Sequence, residues 1–226
     1  MRLGEGAIGD LLEINAWGKQ DDTRAGGEDM IVLGTHLFDL MRLFAGDAEW
    51  CTARVLQAGH DITHADAHRV KEQIGPVAGN EISAQFAFTR GVTGSFTSRA
   101  RLREQVGHWG VELAGSKTSA RLLADVYPAV HVLRPGKWEE AGRMDQWQPL
   151  ENDPGTKLGA DERSFGPANR RVLDDWLDAI ANNREPACSG RNAMKSIEMV
   201  MAVYQSALSG ARITVPLKDR KHPLTG

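Results

Sequence analysis

Four side chains that can bind or transfer protons lie close together in the sequence: Glu28, Asp29, His36 and Asp39. They follow the pair Gly26–Gly27, and glycine lets the backbone turn with positive φ and approach a ligand closely. Histidine suits general acid and base chemistry because its ordinary pKa lies near working pH. The cluster therefore predicts a site of proton transfer with His36 as its central group.

A helix must position these groups. Apolar residues recur at helical spacing, which predicts one apolar face made by Met30, Leu33, Leu37, Leu40, Met41 and Phe44. Glu28 and Asp29 at the helix entrance suit the helix dipole, and Gly46–Asp47 predicts the end. An apolar helix with one histidine is also common in ordinary cores, so this pattern alone leaves both interpretations open.

A polar loop over residues 18–25 leads into this helix and carries two cations, Lys19 and Arg24. Loops held by a rigid scaffold often carry binding residues. Lys19 and Arg24 are therefore candidates for binding substrate hydroxyls or a carboxylate, although a charged loop can also simply face water.

Composition excludes several function classes. The chain has 226 residues and a formal net charge of -3, with acidic and basic residues interspersed, so it has no basic patch for a nucleic acid. No apolar run is long enough to span a membrane, and the first residues form no signal region. Two cysteines, far apart in sequence, favour a reduced cytoplasmic protein.

Residues 4–9 match the pattern G-x-G-x-x-G of dinucleotide-binding turns. That pattern works only after a strand and before a helix. Here three residues precede it, and Leu11–Trp17 alternates like a strand, with Leu12, Ile14 and Ala16 on one face. The match therefore predicts no cofactor site, and residues 110–118, which resemble a phosphate loop, are likewise flanked by strands.

Three histidines, His60, His64 and His68, would align on a helix and could ligate a metal. The segment has little apolar face to hold a helix, and it runs into Gly75–Pro76. We predict a solvated loop and no metal site, and keep a histidine-ligated metal protein as the third hypothesis.

Hairpin follows hairpin through the middle of the chain. Alternation predicts strands at 49–58, 81–88, 92–101, 108–114, 118–124 and 131–134. A long irregular excursion over about 135–167 is followed by helices at 168–183 and 189–209 and a last strand at 211–215. Ser189 is the expected N-cap of the second helix, whose apolar positions are Met194, Ile197, Met201, Tyr204 and Leu208. The predicted fold is α+β, a mainly antiparallel open sheet with helices packed on one face, in a single domain over 1–226. The other sheet face carries Ser and Thr and predicts a homo-oligomer.

The stretch Gly26–Asp39 resembles the Gly-Gly-x-x-x-x-(Asp)-x-Gly-x-His-x-x-Asp signature of the Gfo/Idh/MocA oxidoreductases. Gly34, His36 and Asp39 match that signature, whereas Val32 stands where many members carry aspartate. Further similar segments are 6–14, 80–96, 172–180 and 196–215. The resemblance covers nearly all of the chain, but only the C-terminal half of the family.

The resemblance implies the substrate-binding and oligomerisation half of an NAD(P)-dependent oxidoreductase that acts on a sugar, polyol or related hydroxy compound. His36 would be catalytic, and the expected substrate-binding residues are Lys19, Arg24, Glu28, Asp29 and Asp39. NAD or NADP would be held mainly by the absent N-terminal half, so no cofactor and no turnover are expected for this chain alone. The alternative is a non-catalytic oligomeric module that binds a small molecule or a partner chain.

Overall fold

A computed structural model of the chain describes residues 6–18, 24, 26–100, 109–124, 129–133, 147–150, 159 and 161–225. Most of the predicted excursion over 135–167 lies outside these residues. Within it, Trp147–Pro149 forms a strand, so that part is not irregular as predicted.

One ten-stranded sheet dominates the molecule. The strands are β1 (Leu11–Trp17), β2 (Ala48–Gln57), β3 (His60–Asp61), β6 (Glu81–Phe88), β7 (Thr93–Arg99), β8 (Gly110–Gly115), β9 (Ser119–Leu123), β10 (Ala129–Leu133), β11 (Trp147–Pro149) and β12 (Ile213–Thr214). Their order is β11-β10-β9-β8-β1-β7-β6-β2-β12, with β3 added to β2. β4 (His68–Arg69) and β5 (Pro76–Val77) form a separate pair.

The sheet is antiparallel except between β1 and β7, which run parallel. This pairing joins the first strand to the middle of the sheet. The predicted α+β class with a mainly antiparallel sheet is confirmed. Alternation along β6 and β7 is also confirmed, since Ile82, Phe86 and Phe96 are buried.

The prediction for Leu12 is wrong. Leu12 was expected to share the inner face of β1 with Ile14 and Ala16, but its side chain is exposed. The register between β1 and β8 shifts between Leu11 and Glu13. An irregularity of this kind locally breaks the two-residue alternation of a strand.

The helix that carries His36 is continuous from α1 (Gly26–Asp29) through a π-helical segment (Met30–Gly34) into α2 (Thr35–Ala45). It ends at Gly46, whose φ is 87°, as predicted. Gly26 and Gly27 form its first turn rather than a loop before it. The helix packs on β1 and β8, and Phe38 lies edge-on against Phe86 and Phe96, with ring centroids 5.4 and 4.9 Å apart.

Two more helices follow, α3 (Phe165–Ala181) and α4 (Gly190–Ser209). Ser189 caps α4 as predicted, because its Oγ accepts a hydrogen bond from Asn192 N at 3.2 Å. α4 packs on β2 and α2 with a face that contains Met199, Val200 and Val203. The predicted face of α4 is therefore partly wrong, since Met194 and Ile197 point outward.

The histidine-rich segment does not form a helix that aligns its three rings. His60 lies in β3, His64 begins a short 3₁₀ turn, and His68 lies in β4. His60 Nε2 lies 3.2 Å from Asp66 Oδ1, and His68 Nδ1 lies 3.0 Å from the Asp66 carbonyl oxygen. Among the described residues, no group of three or more His, Cys, Asp or Glu side chains is arranged to hold a metal ion.

Cys51 is buried and Cys188 is exposed, and both are free thiols. Burial raises the pKa of the Cys51 thiol, which keeps it protonated. None of the helices in the described part of the chain has the length and apolar character needed to cross a bilayer.

We expect Gly27→Ala to destabilise the fold by about 1–3 kcal/mol, because overpacking a tight contact costs that much. A Cβ at Gly27 would overlap the Ala78 carbonyl oxygen and the Tyr204 hydroxyl. Urea unfolding measures the change. Gly190→Ala is the matched control, since a Cβ there meets nothing within 4 Å. Equal stability of Gly27→Ala and the natural chain would contradict the packing described.

Candidate functional site

His36 stands on the exposed side of α2, two residues after the end of the π-helical segment. Its ring lies beside the Trp109 ring, with centroids 6.4 Å apart and planes inclined by 51°. Trp109 immediately precedes β8, so the histidine is placed between the helix and the start of a sheet strand. The imidazole is therefore accessible to a ligand and has an aromatic neighbour on one side.

Close packing beneath His36 fixes the position of the helix. A Cβ at Gly34 would lie 3.2 Å from Phe96 Cζ and 3.4 Å from Met30 Cγ. A side chain at position 34 would press on Phe96, so glycine favours this close approach of the helix to β7. Single π-type turns inside α-helices occur frequently at functional sites, and this one ends two residues before His36.

The two acidic residues at the helix entrance have different surroundings. Asp29 is 1 % exposed, and its Oδ2 accepts a hydrogen bond from Ser98 Oγ at 3.0 Å. Glu28 is partly exposed. With a rise of about 1.5 Å per residue, both lie roughly 10–12 Å from His36 along the helix axis. Asp29 thus belongs to the interior, and Glu28 is two turns away from His36.

The predicted cations fall on a part of the chain that is only partly described. Lys19 lies outside the described residues. Arg24 Nη2 lies 2.5 Å from Glu72 Oε1 in an ion pair, and its side chain is largely buried. Arg24 therefore holds the segment after β4 against the entrance of the His36 helix.

Asp39 is exposed one turn after His36 and lies 3.4 Å from Arg42 Nη1. Arg42 is almost fully buried and joins α2 to α4. It donates hydrogen bonds to Asp47 Oδ1 at 3.0 and 3.1 Å, to the Asn192 carbonyl oxygen at 3.0 Å and to Ser196 Oγ at 3.3 Å. We call Arg42, Asp47, Asn192, Lys195 and Ser196 the polar latch.

The latch also sets the charge state of Asp47. Lys195 Nζ lies 2.5 Å from Asp47 Oδ2. Burial by itself raises the pKa of this carboxyl, but the hydrogen bonds and positive charges of Lys195 and Arg42 outweigh burial and hold the pKa below its ordinary value. The latch therefore holds the negative Asp47 carboxylate between the positive charges of Arg42 and Lys195, at the C-terminal end of the helix that carries His36.

The described residues do not fit a dinucleotide. Gly6 and Gly9 have φ of 93° and 76° and form a turn that enters the strand β1, whereas a dinucleotide-binding turn leads into a helix. At the other glycine pair, Gly27 N donates to the Gly79 carbonyl oxygen at 3.0 Å, so this N–H group of the first helical turn already has a partner within the protein. That residues 4–9 bind no cofactor stays a prediction.

Sequence reasoning missed Trp109 and the π-helical segment. A tryptophan far along the chain gives no signal of its contact with His36, and a single π-type turn has no distinctive residue pattern. The latch was also missed, although the charges of Arg42, Asp47 and Lys195 are visible in the sequence, since only the packing of α2 on α4 brings them together.

The chain was compared with known proteins. Residues 11–217 match a family model of the Gfo/Idh/MocA proteins. The model is described as the oxidoreductase family, C-terminal alpha/beta domain. A search of curated proteins gives no match.

Solved structures share the fold at low identity. A levoglucosan dehydrogenase in complex with NADH and L-sorbose superposes with a TM-score of 0.67 at 18 % identity, covering 94 % of this chain and 60 % of that one. An NAD binding oxidoreductase from Klebsiella pneumoniae gives 0.66 at 14 % identity, covering 95 % and 61 %. The WlbA dehydrogenase from Bordetella pertussis, in complex with NADH and UDP-GlcNAcA, gives 0.59 at 18 %, covering 94 % and 59 %. The chain thus spans about three fifths of the length of these structures.

We expect Asp47→Asn to lower stability by up to about 1 kcal/mol at neutral pH, a value discounted for the partial exposure of the pair. Because the folded-state pKa of Asp47 is lowered, its stabilising contribution is present above the unfolded-state pKa of about 3.9 and is lost as pH falls through the folded-state pKa. Urea unfolding across pH measures this. The two chains should converge in acid, and the exposed Asp10→Asn is the matched control. A difference that persists unchanged at low pH would contradict the role of the charge.

Proposed function

Because the chain belongs to the Gfo/Idh/MocA oxidoreductase family and corresponds to its C-terminal alpha/beta domain, we propose that it is the substrate-binding and oligomerisation half of an NAD(P)-dependent sugar or polyol dehydrogenase. The observation that carries this proposal is the placement of His36. It is accessible, beside Trp109, on a helix that Gly34 and the polar latch hold rigidly on the sheet. Sites on rigid elements position catalytic groups most accurately.

We propose that His36 binds the reacting hydroxyl and accepts its proton. A neutral imidazole nitrogen accepts a hydrogen bond from an alcohol and can take its proton when the alcohol is oxidised. Trp109 lies at the side of the ring, where it excludes water and offers an apolar surface to the carbon face of a sugar. His36 alone supplies both binding and proton transfer at this position.

The surrounding polar groups are proposed to bind the rest of the substrate. Asp39 is exposed one turn beyond His36 and can accept hydrogen bonds from hydroxyls. Glu28 is partly exposed at the helix entrance, and Lys19 and Arg24 come shortly before that entrance in the sequence. Asp29 is buried beneath this entrance, so we assign it to orienting the helix start through Ser98.

The cofactor is proposed to be NAD or NADP and to be held by a domain outside this region. Two of the similar structures, levoglucosan dehydrogenase and WlbA, contain NADH. This chain covers 60 % and 59 % of those two chains, so each of them has a further part that this chain does not match. Since the described residues do not fit a dinucleotide, we propose that the chain by itself has no turnover.

A second candidate function is a non-catalytic module that binds a small hydroxy compound. Val32 favours it, because a valine cannot accept a proton or a hydrogen bond where many family members carry aspartate. Such a module would keep the His36 and Trp109 surface for binding without oxidising the ligand.

We also propose that the exposed sheet face joins copies of the chain. A row of paired polar residues crosses this face, made by Thr52, Gln85, Ser95, Asn15, Glu112, Arg121 and His131. Arg121 bonds Glu112 at 2.6 Å and stacks on the rings of Trp147 at 4.2 Å and Trp17 at 5.6 Å. Tryptophan and arginine are the residues most enriched where interfaces bind tightly. The sheet face thus offers an ordered, partly aromatic surface to a second copy.

The substrate assignment predicts that titrating the chain with L-sorbose and levoglucosan shifts the His36 imidazole resonances saturably in ¹H–¹⁵N spectra. We expect His36→Ala to weaken the affinity by about 2- to 10-fold, the value of one or two hydrogen bonds. His68→Ala is the control, because His68 is exposed on another part of the fold. Equal affinity of the His36 variant and the natural chain would remove His36 from the site.

The cofactor assignment predicts no saturable change in nicotinamide fluorescence when NADH or NADPH is titrated with the isolated chain. The reason is that the described residues contain no glycine-rich turn that joins a strand directly to a helix, as dinucleotide binding requires. Saturable binding would contradict this assignment and would place a cofactor site on the chain itself. Added NADH should also leave the sugar affinity unchanged.

A further inference from the structure

A histidine orders the short turn that buries Leu224. Leu224 N donates a hydrogen bond to His222 Nδ1 at 3.2 Å. The His222 carbonyl oxygen accepts from Thr225 N at 3.0 Å and from Thr225 Oγ1 at 2.8 Å. Pro223 lies between these groups, and its fixed φ favours a tight turn. We call residues 222–225 the His222 turn.

The His222 turn is packed against the core of the protein. Leu224 is 4 % exposed and belongs to the main cluster of buried apolar side chains. The turn contacts α4 and the short strand β5. The His222 ring lies beside the Tyr204 ring of α4, with centroids 6.1 Å apart and planes inclined by 38°. Release of the turn would therefore expose apolar surface.

Tyr204 connects the turn to the entrance of the His36 helix. Its hydroxyl accepts a hydrogen bond from Ala78 N at 3.3 Å and donates one to the Ala78 carbonyl oxygen at 3.4 Å. The same hydroxyl lies so close to Gly27 that a Cβ there would overlap it. The His222 turn thus lies beside the residue against which that helix begins.

The hydrogen bond from Leu224 fixes the position of the proton on the His222 ring. A neutral imidazole has one nitrogen that donates and one that accepts. Since Nδ1 accepts from a backbone N–H group, the proton of the neutral ring lies on Nε2. Nε2 is enclosed, and within the described part of the chain it has no hydrogen-bond partner.

A second proton has no favourable place on this ring. It would bind Nδ1, where it would meet the Leu224 N–H group instead of an acceptor. The Nε2–H group is shut off from water, so the charge of the ring would be poorly solvated. In agreement with this geometry, burial lowers the pKa of His222.

The charged groups around His222 oppose one another. His222 lines a cavity of about 620 Å³ together with three other titratable side chains, Asp219, Lys221 and His64. Asp219 would attract a charged ring, whereas Lys221 and a protonated His64 would repel it. Asp219 Oδ1 already accepts a hydrogen bond from Lys221 N at 2.9 Å.

The elements packed against the turn add no counter-charge to the ring. α4 contributes Tyr204, and burial raises the pKa of that hydroxyl, which keeps it neutral. Glu198 of α4 meets the chain earlier, where it accepts a hydrogen bond from Leu217 N at 2.9 Å. β5, which consists of Pro76 and Val77, has no titratable side chain.

We propose that His222 is a pH-sensitive lock: its neutral ring holds the His222 turn on α4, and protonation of the ring releases the turn together with Leu224. The folded-state pKa of His222 is lowered, so the stabilisation by the neutral ring is present above the unfolded-state pKa of about 6.5. It is lost as pH falls below that value and through the folded-state pKa. This inference does not depend on the proposed function.

Hydrogen exchange of the full chain, followed residue by residue in ¹H–¹⁵N spectra, tests the lock. Protection is corrected for the intrinsic exchange rate at each pH. We expect protection of the Leu224 and Thr225 amides to fall about 2- to 10-fold between about pH 7.5 and about pH 5.5, the range that one hydrogen bond accounts for. The Leu217 amide, which Glu198 holds, and the amides of the central strand β6 should stay protected.

His222→Asn is the matched variant, because an asparagine oxygen can accept from the N–H group two residues on and does not titrate. It should keep the turn protected at both pH values. His222→Leu lacks the acceptor, so its turn should exchange rapidly at both. His64→Asn removes the other histidine of the cavity and should retain the natural pH dependence.

The ¹⁵N chemical shifts of the His222 ring identify its tautomer, and we expect the proton on Nε2 at neutral pH. A proton on Nδ1, or equal protection of Leu224 at both pH values, would overturn the proposal. So would a pH dependence that persists in His222→Asn or disappears in His64→Asn. Loss of protection in β6 together with the turn would also overturn it, since the chain would then unfold as a whole.

Discussion

The close contact of the His36 helix with the sheet is the constraint on which the rest of the structure depends. Gly27 lies against Ala78 and the Tyr204 hydroxyl, and Gly34 lies against Phe96. A Cβ at Gly27 would overlap its neighbours, and a Cβ at Gly34 would be in tight contact with Phe96. The absence of two Cβ atoms lets the helix descend onto β7, and the ring cluster of Phe38, Phe86 and Phe96 then fills the space between the layers. His36 is placed accurately because the backbone below it cannot shift without a steric clash.

Charged and polar contacts hold the two ends of the His36 helix in addition to its packing on the sheet. The polar latch joins the C-terminal end of the His36 helix to α4, with Arg42 almost fully buried among oxygen acceptors and Asp47 shared with Lys195. At the other end, Arg24 pairs with Glu72, and Asp29 accepts a hydrogen bond from Ser98. Charged groups thus fix both ends of the helix, while its middle presents an accessible imidazole beside an aromatic ring. This division suits a site that must bind a polar ligand without moving.

The molecule leaves two surfaces exposed for different physical reasons. A sheet buries one face against its helices and leaves the other free, so the polar row through Arg121 follows from the architecture itself. The exposed apolar face of α3, which contains Leu173, Trp176 and Leu177, is different. An amphipathic helix ordinarily turns its apolar face toward a core, and this one turns it outward. The chain corresponds to three fifths of the length of its structural relatives.

The sequence by itself determined the strands of the central hairpin, the His36 helix with its glycine end, the cap of α4 and the family. Each of these follows from a local property of the sequence, namely strand alternation, helical spacing or the Gly-x-His-x-x-Asp spacing. It also predicted that the G-x-G-x-x-G match leads into a strand instead of a helix, because the residues that follow it alternate. Tertiary structure alone decided the rest. It turned Leu12 outward through a register shift, sent Asp29 into the interior, brought Trp109 to His36, and set Met194 and Ile197 beside an uncovered α3. Each of these depends on which distant element lies opposite a residue, and a one-dimensional pattern carries no record of that.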